Sequence, residues 1–156
     1  MKVSEHILGS FVFSTITYLA TKSLLAAAAC FLSGILIDID HIIDFGRLYG
    51  FNLYGLKKLV YASQEDEKAK SKHNFKKIYL FLHSIELACL LWITALWLAN
   101  IYLIAAVIGY TGHLILDCIG NREDLKFYLF FYRARNKFSA KKLFKRWRRK
   151  KMMDED

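Results

Sequence analysis

Residues 34–41 read Gly-Ile-Leu-Ile-Asp-Ile-Asp-His, and the ionisable groups at the end close an apolar run that begins at Leu24. Two carboxylates and an imidazole within four residues form a compact donor set for a divalent ion. The same residue types recur further along. His83 is followed by Ser84 and Glu86, and His113 by Asp117. On a helix, His113 and Asp117 (i,i+4) share one face, with Gly109 a turn back on the same stripe. Asp38 and His41 (i,i+3) share a face too, and His83 and Glu86 repeat that spacing. Asp40 lies two residues from Asp38 and leaves its face if the helix is regular. It then binds through a helix end that unwinds, or holds a ligating histidine from behind. His6, near the N-terminus, completes the set.

Neutral imidazole with carboxylate suits zinc first, and manganese or iron after it. The metal charge would offset the cost of burying several acids. The candidate ligands are His6, Asp38, Asp40, His41, His83, His113 and Asp117, enough for one or two ions. A catalytic site keeps a position open for water, whose pKa the metal lowers. Asp40 and Glu86 are the candidate bases to orient that water. Ser84 reads as a hydrogen-bonding neighbour, since no separate Ser-His-Asp arrangement is evident. His73 lies in a charged stretch and reads as solvated. Cys30, Cys89 and Cys118 sit in apolar runs, odd in number and without a Cys-x-x-Cys, and read as buried free thiols.

These groups need elements to position them. Hydrophobic residues make up 55% of the 156, and mean hydropathy is +0.23. The apolar residues are gathered in long runs, which points to a membrane protein. There is no proline to break a long helix. The apolar stretches are Ile7–Ala20, Ser23–Ile39, Ile78–Ala99 and Ile101–Ile119. The second and fourth reach the roughly 20 residues a span needs if their polar ends stay helical. The expected fold is all-α: a polytopic bundle of about four transmembrane helices, in two hairpins, over residues 1–120. A connector over about 44–77 joins the hairpins, and Leu48–Leu56 within it reads as an interfacial segment. Residues 121–156 form a basic, aromatic-rich tail. Ala27-Ala28-Ala29-Cys30 resembles a lipoprotein cleavage box, but Glu5, His6 and Lys22 spoil the stretch before it as a signal.

Basic residues set the expected orientation. With both termini and the connector on one side, 22 of the 23 lysines and arginines lie there, and only Lys22 lies opposite. That side is expected to be the cytoplasm. The polar residues of all four helices then fall at one depth, near the inner leaflet surface, where ionisable groups are costly and usually functional. Aromatic and basic residues mixed in the tail suit anionic lipid headgroups better than nucleic acid. The hairpins close on each other within one chain or across a homo-oligomer.

The order of motifs resembles that of the small bacterial and archaeal membrane-bound metal-dependent hydrolases. The matching residues are His6, Gly34, Asp38, Asp40, His41, His83, Ser84, Gly109, His113 and Asp117, within residues 1–120. The resemblance implies an integral protein of the prokaryotic cytoplasmic membrane. Ile37 stands where that family commonly has proline. Tyr79-Leu80-Phe81-Leu82 precedes His83-Ser84 where the family often has an Arg-Gly-x-Thr approach.

The reading is a hydrolase of an ester or phosphoester, of a lipid or another amphiphile, acting at the cytoplasmic face. Its rival is a non-catalytic, metal-stabilised scaffold or an anchor whose tail binds lipid or a partner. A transporter is disfavoured, because the outer halves of the spans carry no acid or histidine.

Overall fold

The computed structural model describes residues 3–54, 57, 77–120 and 125–143. Most of the expected connector, with His73, therefore lies outside the described residues, as do the ends of the basic tail. Among the described residues the regular elements are all helices, apart from an isolated bridge between Lys77 and Ser139.

Helix α1 runs Val3–Thr21 and α2 runs Leu24–Leu36. Lys22 turns the chain between them with φ 54°, and its N–H closes back on the Tyr18 carbonyl at 2.7 Å. Ser23 caps α2, its hydroxyl accepting from Ala26 N–H at 3.3 Å. After α2, Ile37 and Asp38 lead into α3, Ile39–Tyr49. The junction is tightened by successive i→i+3 bonds: Asp38 N–H to Ile35 O, Asp40 N–H to Ile37 O, and His41 N–H to Asp38 O. Leu24–Arg47 is in effect one 24-residue apolar span with a local change of pitch at the acidic motif. Gly50 ends α3 at φ 87°. Beyond it, Phe51, Leu53 and Tyr54 are exposed.

Helix α4 covers Ile85–Trp97 and α5 covers Ile101–Gly120. The polar ends of both long spans are helical, as expected. The third apolar run differs. Residues 78–84 are non-helical, and Ser84 caps α4, accepting from Leu87 N–H at 3.3 Å. His83 therefore precedes the helix that carries Glu86 and does not share a face with it. At about 1.5 Å per residue, the 13 residues of α4 extend only ~20 Å. Two helices, Leu24–Arg47 and Ile101–Gly120, are long and apolar enough to cross a membrane.

Helices α1, α2 and α5 pack on one another, and the interior around α2 and α5 is made of small residues: Ala26, Ala27, Cys30, Gly34, Ala105, Gly109 and Gly112. A Cβ on Gly109 would collide with the Cys30 carbonyl, and one on Gly34 would meet Ser10 Oγ at 2.6 Å. Hydroxyls knit the contacts: Ser14 donates to Ala27 O at 2.8 Å and Ser33 to Ala106 O at 2.5 Å. Large apolar residues face outward instead, among them Leu8, Phe11, Leu25, Ile93 and Trp97. Small residues inside and large ones outside are compatible with helices packed in lipid. Cys30 is buried, but Cys89 is exposed on this outer surface, contrary to expectation.

The described part of the basic tail is packed onto the bundle. A 3₁₀ turn at Leu125–Tyr128 leads to α6, Phe130–Arg135, and α7, Ala140–Leu143. Phe127, Tyr128, Ala140 and Leu143 join Ile37, Ile78, Leu80 and Leu114 in one buried cluster.

Because Gly109 faces backbone rather than a side chain that could move, Gly109→Ala should lower stability by about 1–3 kcal/mol despite alanine's higher helix propensity. Thermal unfolding in detergent should show the loss as a reduced Tm. An unchanged Tm would mean that α2 and α5 are not in this close contact.

Candidate metal centre

The change of pitch at the α2–α3 junction sends Asp38 and Asp40 to different tasks. Asp38 Oδ1 faces three imidazoles: His113 Nε2 at 3.5 Å, His41 Nε2 at 3.6 Å and His83 Nε2 at 3.7 Å. On α5, Asp117 Oδ2 lies 3.4 Å from His83 Nε2 and 3.6 Å from His113 Nε2. Asp38, His83, His113 and Asp117 thus form a ring in which each carboxylate faces both imidazoles.

Both histidines are almost wholly inaccessible, and the Nε2 atom of each is buried with no hydrogen-bond partner. Their other nitrogens explain this. His113 Nδ1 is 2.6 Å from the Gly34 carbonyl, which can only accept, so Nδ1 carries the proton and neutral His113 presents its lone pair at Nε2. His83 Nδ1 faces Asp40 Oδ2 at 3.4 Å, which favours the same tautomer. A backbone carbonyl or carboxylate behind an imidazole is the usual support of a metal-binding histidine.

The imidazole–carboxylate separations are long for hydrogen bonds and compatible with the spacing of metal ligands. Donors about 2.0–2.2 Å from a tetrahedral zinc lie ~3.3–3.6 Å apart. Charge-assisted N–H···O bonds are shorter, about 2.7–2.9 Å. The four imidazole–carboxylate distances run from 3.4 to 3.7 Å, which suits edges around a shared cation. Asp38, His83 and His113 group as one potential metal-holding triad, and His6, His113 and Asp117 as another. Buried His/Asp groups here could therefore hold a metal ion.

The remaining expected residues take distinct places. His6 stacks on His113, with ring centroids 4.2 Å apart, and its Nε2 lies 3.2 Å from Asp117 Oδ1, the oxygen turned away from the ring of four donors. It steadies Asp117 or adds a donor for a second ion. His41 is half-buried at the rim, beside Asp38, whose side chain keeps 28% exposure. Asp40, buried, accepts from the Leu82 and His83 N–H groups and backs the His83 ring. It supports a ligand rather than pointing at the centre. Glu86, expected as a candidate base, is committed elsewhere: it accepts from the Ser84 hydroxyl at 2.8 Å and from Phe130 and Phe131 N–H at 2.8 and 3.1 Å. It caps the start of α6.

Two buried groups complete the surroundings. Asp44 accepts from Tyr79 N–H at 3.1 Å, and Arg133 donates to the Leu80 and His83 carbonyls at 2.6 and 2.9 Å. Burial lowers the Arg133 pKa from its usual value, while the charges of Glu86, Asp40 and Asp44 oppose that shift. In the sequence Arg133 is one basic residue among many, and only its position between Tyr132 and Ala134 in an aromatic stretch hints at burial.

No family model, characterised protein or solved structure matches the chain, so its chemistry rests on this geometry.

If Asp40 holds His83 from behind, Asp40→Asn should weaken zinc binding by about 10–100-fold. Glu86→Gln should leave the affinity unchanged. Competition titration against a chromophoric chelator checks both, and equal losses in the two variants would contradict these assignments.

Proposed function

We propose that the chain is an integral membrane, metal-dependent hydrolase whose ion is held by Asp38, His83, His113 and Asp117. The observation that carries this reading is the pair of buried, unpartnered Nε2 atoms facing two carboxylates at 3.4–3.7 Å. A divalent ion bound there would polarise an ester or phosphoester oxygen and acidify water. Asp38 and His41 form the side that solvent reaches, so substrate enters across them. His41 is placed to take or give a proton there, a role that in the sequence fell to Asp40 and Glu86. The motif order shared with the bacterial and archaeal membrane-bound metal-dependent hydrolases supports the same reading.

The four-span topology is part of the proposal. Alongside the two long apolar helices, α1 has 19 residues with Leu8, Phe11 and Leu19 exposed. Helix α4 crosses with the help of the segments flanking it, and the excess of basic residues supports a cytoplasmic side for both termini. The centre then sits at headgroup depth on that side, where an amphiphile presents its ester or phosphoester. The surrounding lysines and arginines hold anionic headgroups.

One observation favours the scaffold reading. Four protein donors saturate a tetrahedral zinc, as in structural sites. Catalysis requires a metal with further coordination positions, such as manganese or iron, or release of the partly exposed Asp38.

Elemental mass spectrometry of the detergent-purified protein, after reconstitution with zinc, manganese or iron, tests the site. Near-stoichiometric metal is expected in the wild type and its loss in a folded Asp38→Asn/His113→Ala variant. Metal-dependent release of product from ester or phosphoester lipids, abolished in that variant, would establish the hydrolase. Bound metal with no turnover across both classes would favour the scaffold. No bound metal would remove both.

A further inference from the structure

The segment before α4 contains no regular secondary structure, yet Ile78, Leu80, His83 and Ser84 are buried. Within the segment only His83 N–H to Leu80 O and Ser84 N–H to Leu82 O bond locally, so its other backbone polar groups need partners elsewhere, because a buried peptide group without one costs about as much as a lost hydrogen bond. Side chains supply most of them. Asp44 takes the Tyr79 N–H, and Asp40 takes those of Leu82 and His83. The Tyr110 hydroxyl reaches the Leu82 carbonyl. Arg133 takes the carbonyls of Leu80 and His83. Ile78 N–H bonds to Phe138 O at 2.9 Å, extending the attachment to the chain beyond α6.

Asp40 and Arg133 hold residue 83 from opposite polarities, one at its N–H and the other at its carbonyl. The guanidinium has no accessible surface, and it reaches the His83 segment from the C-terminal region, fifty residues later in the chain. A basic residue whose task was to attract lipid would keep its charge in water or at the interface. This one is spent on two carbonyls, one of which belongs to a residue of the metal centre.

We infer that Arg133 is a positioning residue of the metal centre, fixing the backbone of His83 so that its imidazole faces Asp38 and Asp117. This rests on the reading of the centre given above and adds to it: the C-terminal segment helps shape the site as well as being a membrane-binding tail. Lysine at this position keeps the charge but presents a single nitrogen, which cannot match the planar two-carbonyl grip of the guanidinium.

The test is histidine side-chain ¹⁵N NMR of the full chain in detergent, with and without zinc, for wild type, Arg133→Lys and Arg133→Met. The His83 resonances are assigned by their absence in His83→Gln. The inference predicts that Arg133→Lys, with unchanged helicity, shifts the His83 ring resonances in the metal-free protein while those of His6 stay in place. Zinc affinity of that variant should fall about 10-fold, with a larger fall in Arg133→Met if it folds. Unchanged His83 resonances and affinity in folded Arg133→Lys would overturn the inference and leave the centre standing. Wild type without zinc-dependent shifts would instead defeat the metal reading. The metal-free His83 shifts would then still decide whether Arg133 positions the ring.

Discussion

The cost of keeping carboxylates beside imidazoles away from water governs the structure around this site. Asp38, Asp40 and Asp117 lie in or beside two apolar helices, and an isolated carboxylate in such a place loses far more solvation than any single hydrogen bond returns. Each is compensated differently. Asp40 receives backbone N–H groups and the His83 ring. Asp117 has His6 on one oxygen and the ring of donors on the other. Asp38 sits where some solvent reaches it. Two buried Nε2 atoms without hydrogen-bond partners face these groups, and a divalent cation held there would satisfy all four donors at once.

Close helix approach makes that convergence possible. The Gly34 carbonyl can fix His113 only because α2 and α5 touch along Gly34 and Gly109, where any side chain on Gly109 would strike backbone. The same contact brings Asp38, at the end of α2, level with Asp117, a turn beyond His113. A stripe of small residues thus does two jobs. It lets the helices approach closely, and it sets the distance across the centre.

Much of this was legible in the residues. The i,i+4 spacing of His113 and Asp117 and the depth shared by His6, Asp38 and His83 pointed to the cluster that the structure forms. The two long apolar helices and the continuation of helix through Asp38–Asp44 were legible from composition and run length. The segment 78–84 was not, because its apolar residues fit a helix locally. Its irregular path is imposed by bonds from Asp40, Asp44, Tyr110 and Arg133, which lie far away in sequence and leave no local periodicity. Ser84 with Glu86 in the following turn was an available signal that the helix begins there. The bonds of Glu86 were hidden for a related reason: its partners, the Phe130 and Phe131 amides, belong to a segment whose aromatic and basic residues suggested a lipid-binding tail.

The most direct test of the central claim is X-ray absorption at the metal edge of the zinc-loaded protein in detergent. The account predicts a first shell of nitrogen and oxygen only, at about 2.0–2.2 Å, with outer-shell scattering from about two imidazoles. That pattern should lose one imidazole in His113→Ala and keep both in His41→Ala. A sulfur shell, or a spectrum with no imidazole scattering, would contradict it, because the ion would then be held by cysteine or by water and not by the Asp38, His83, His113 and Asp117 ring.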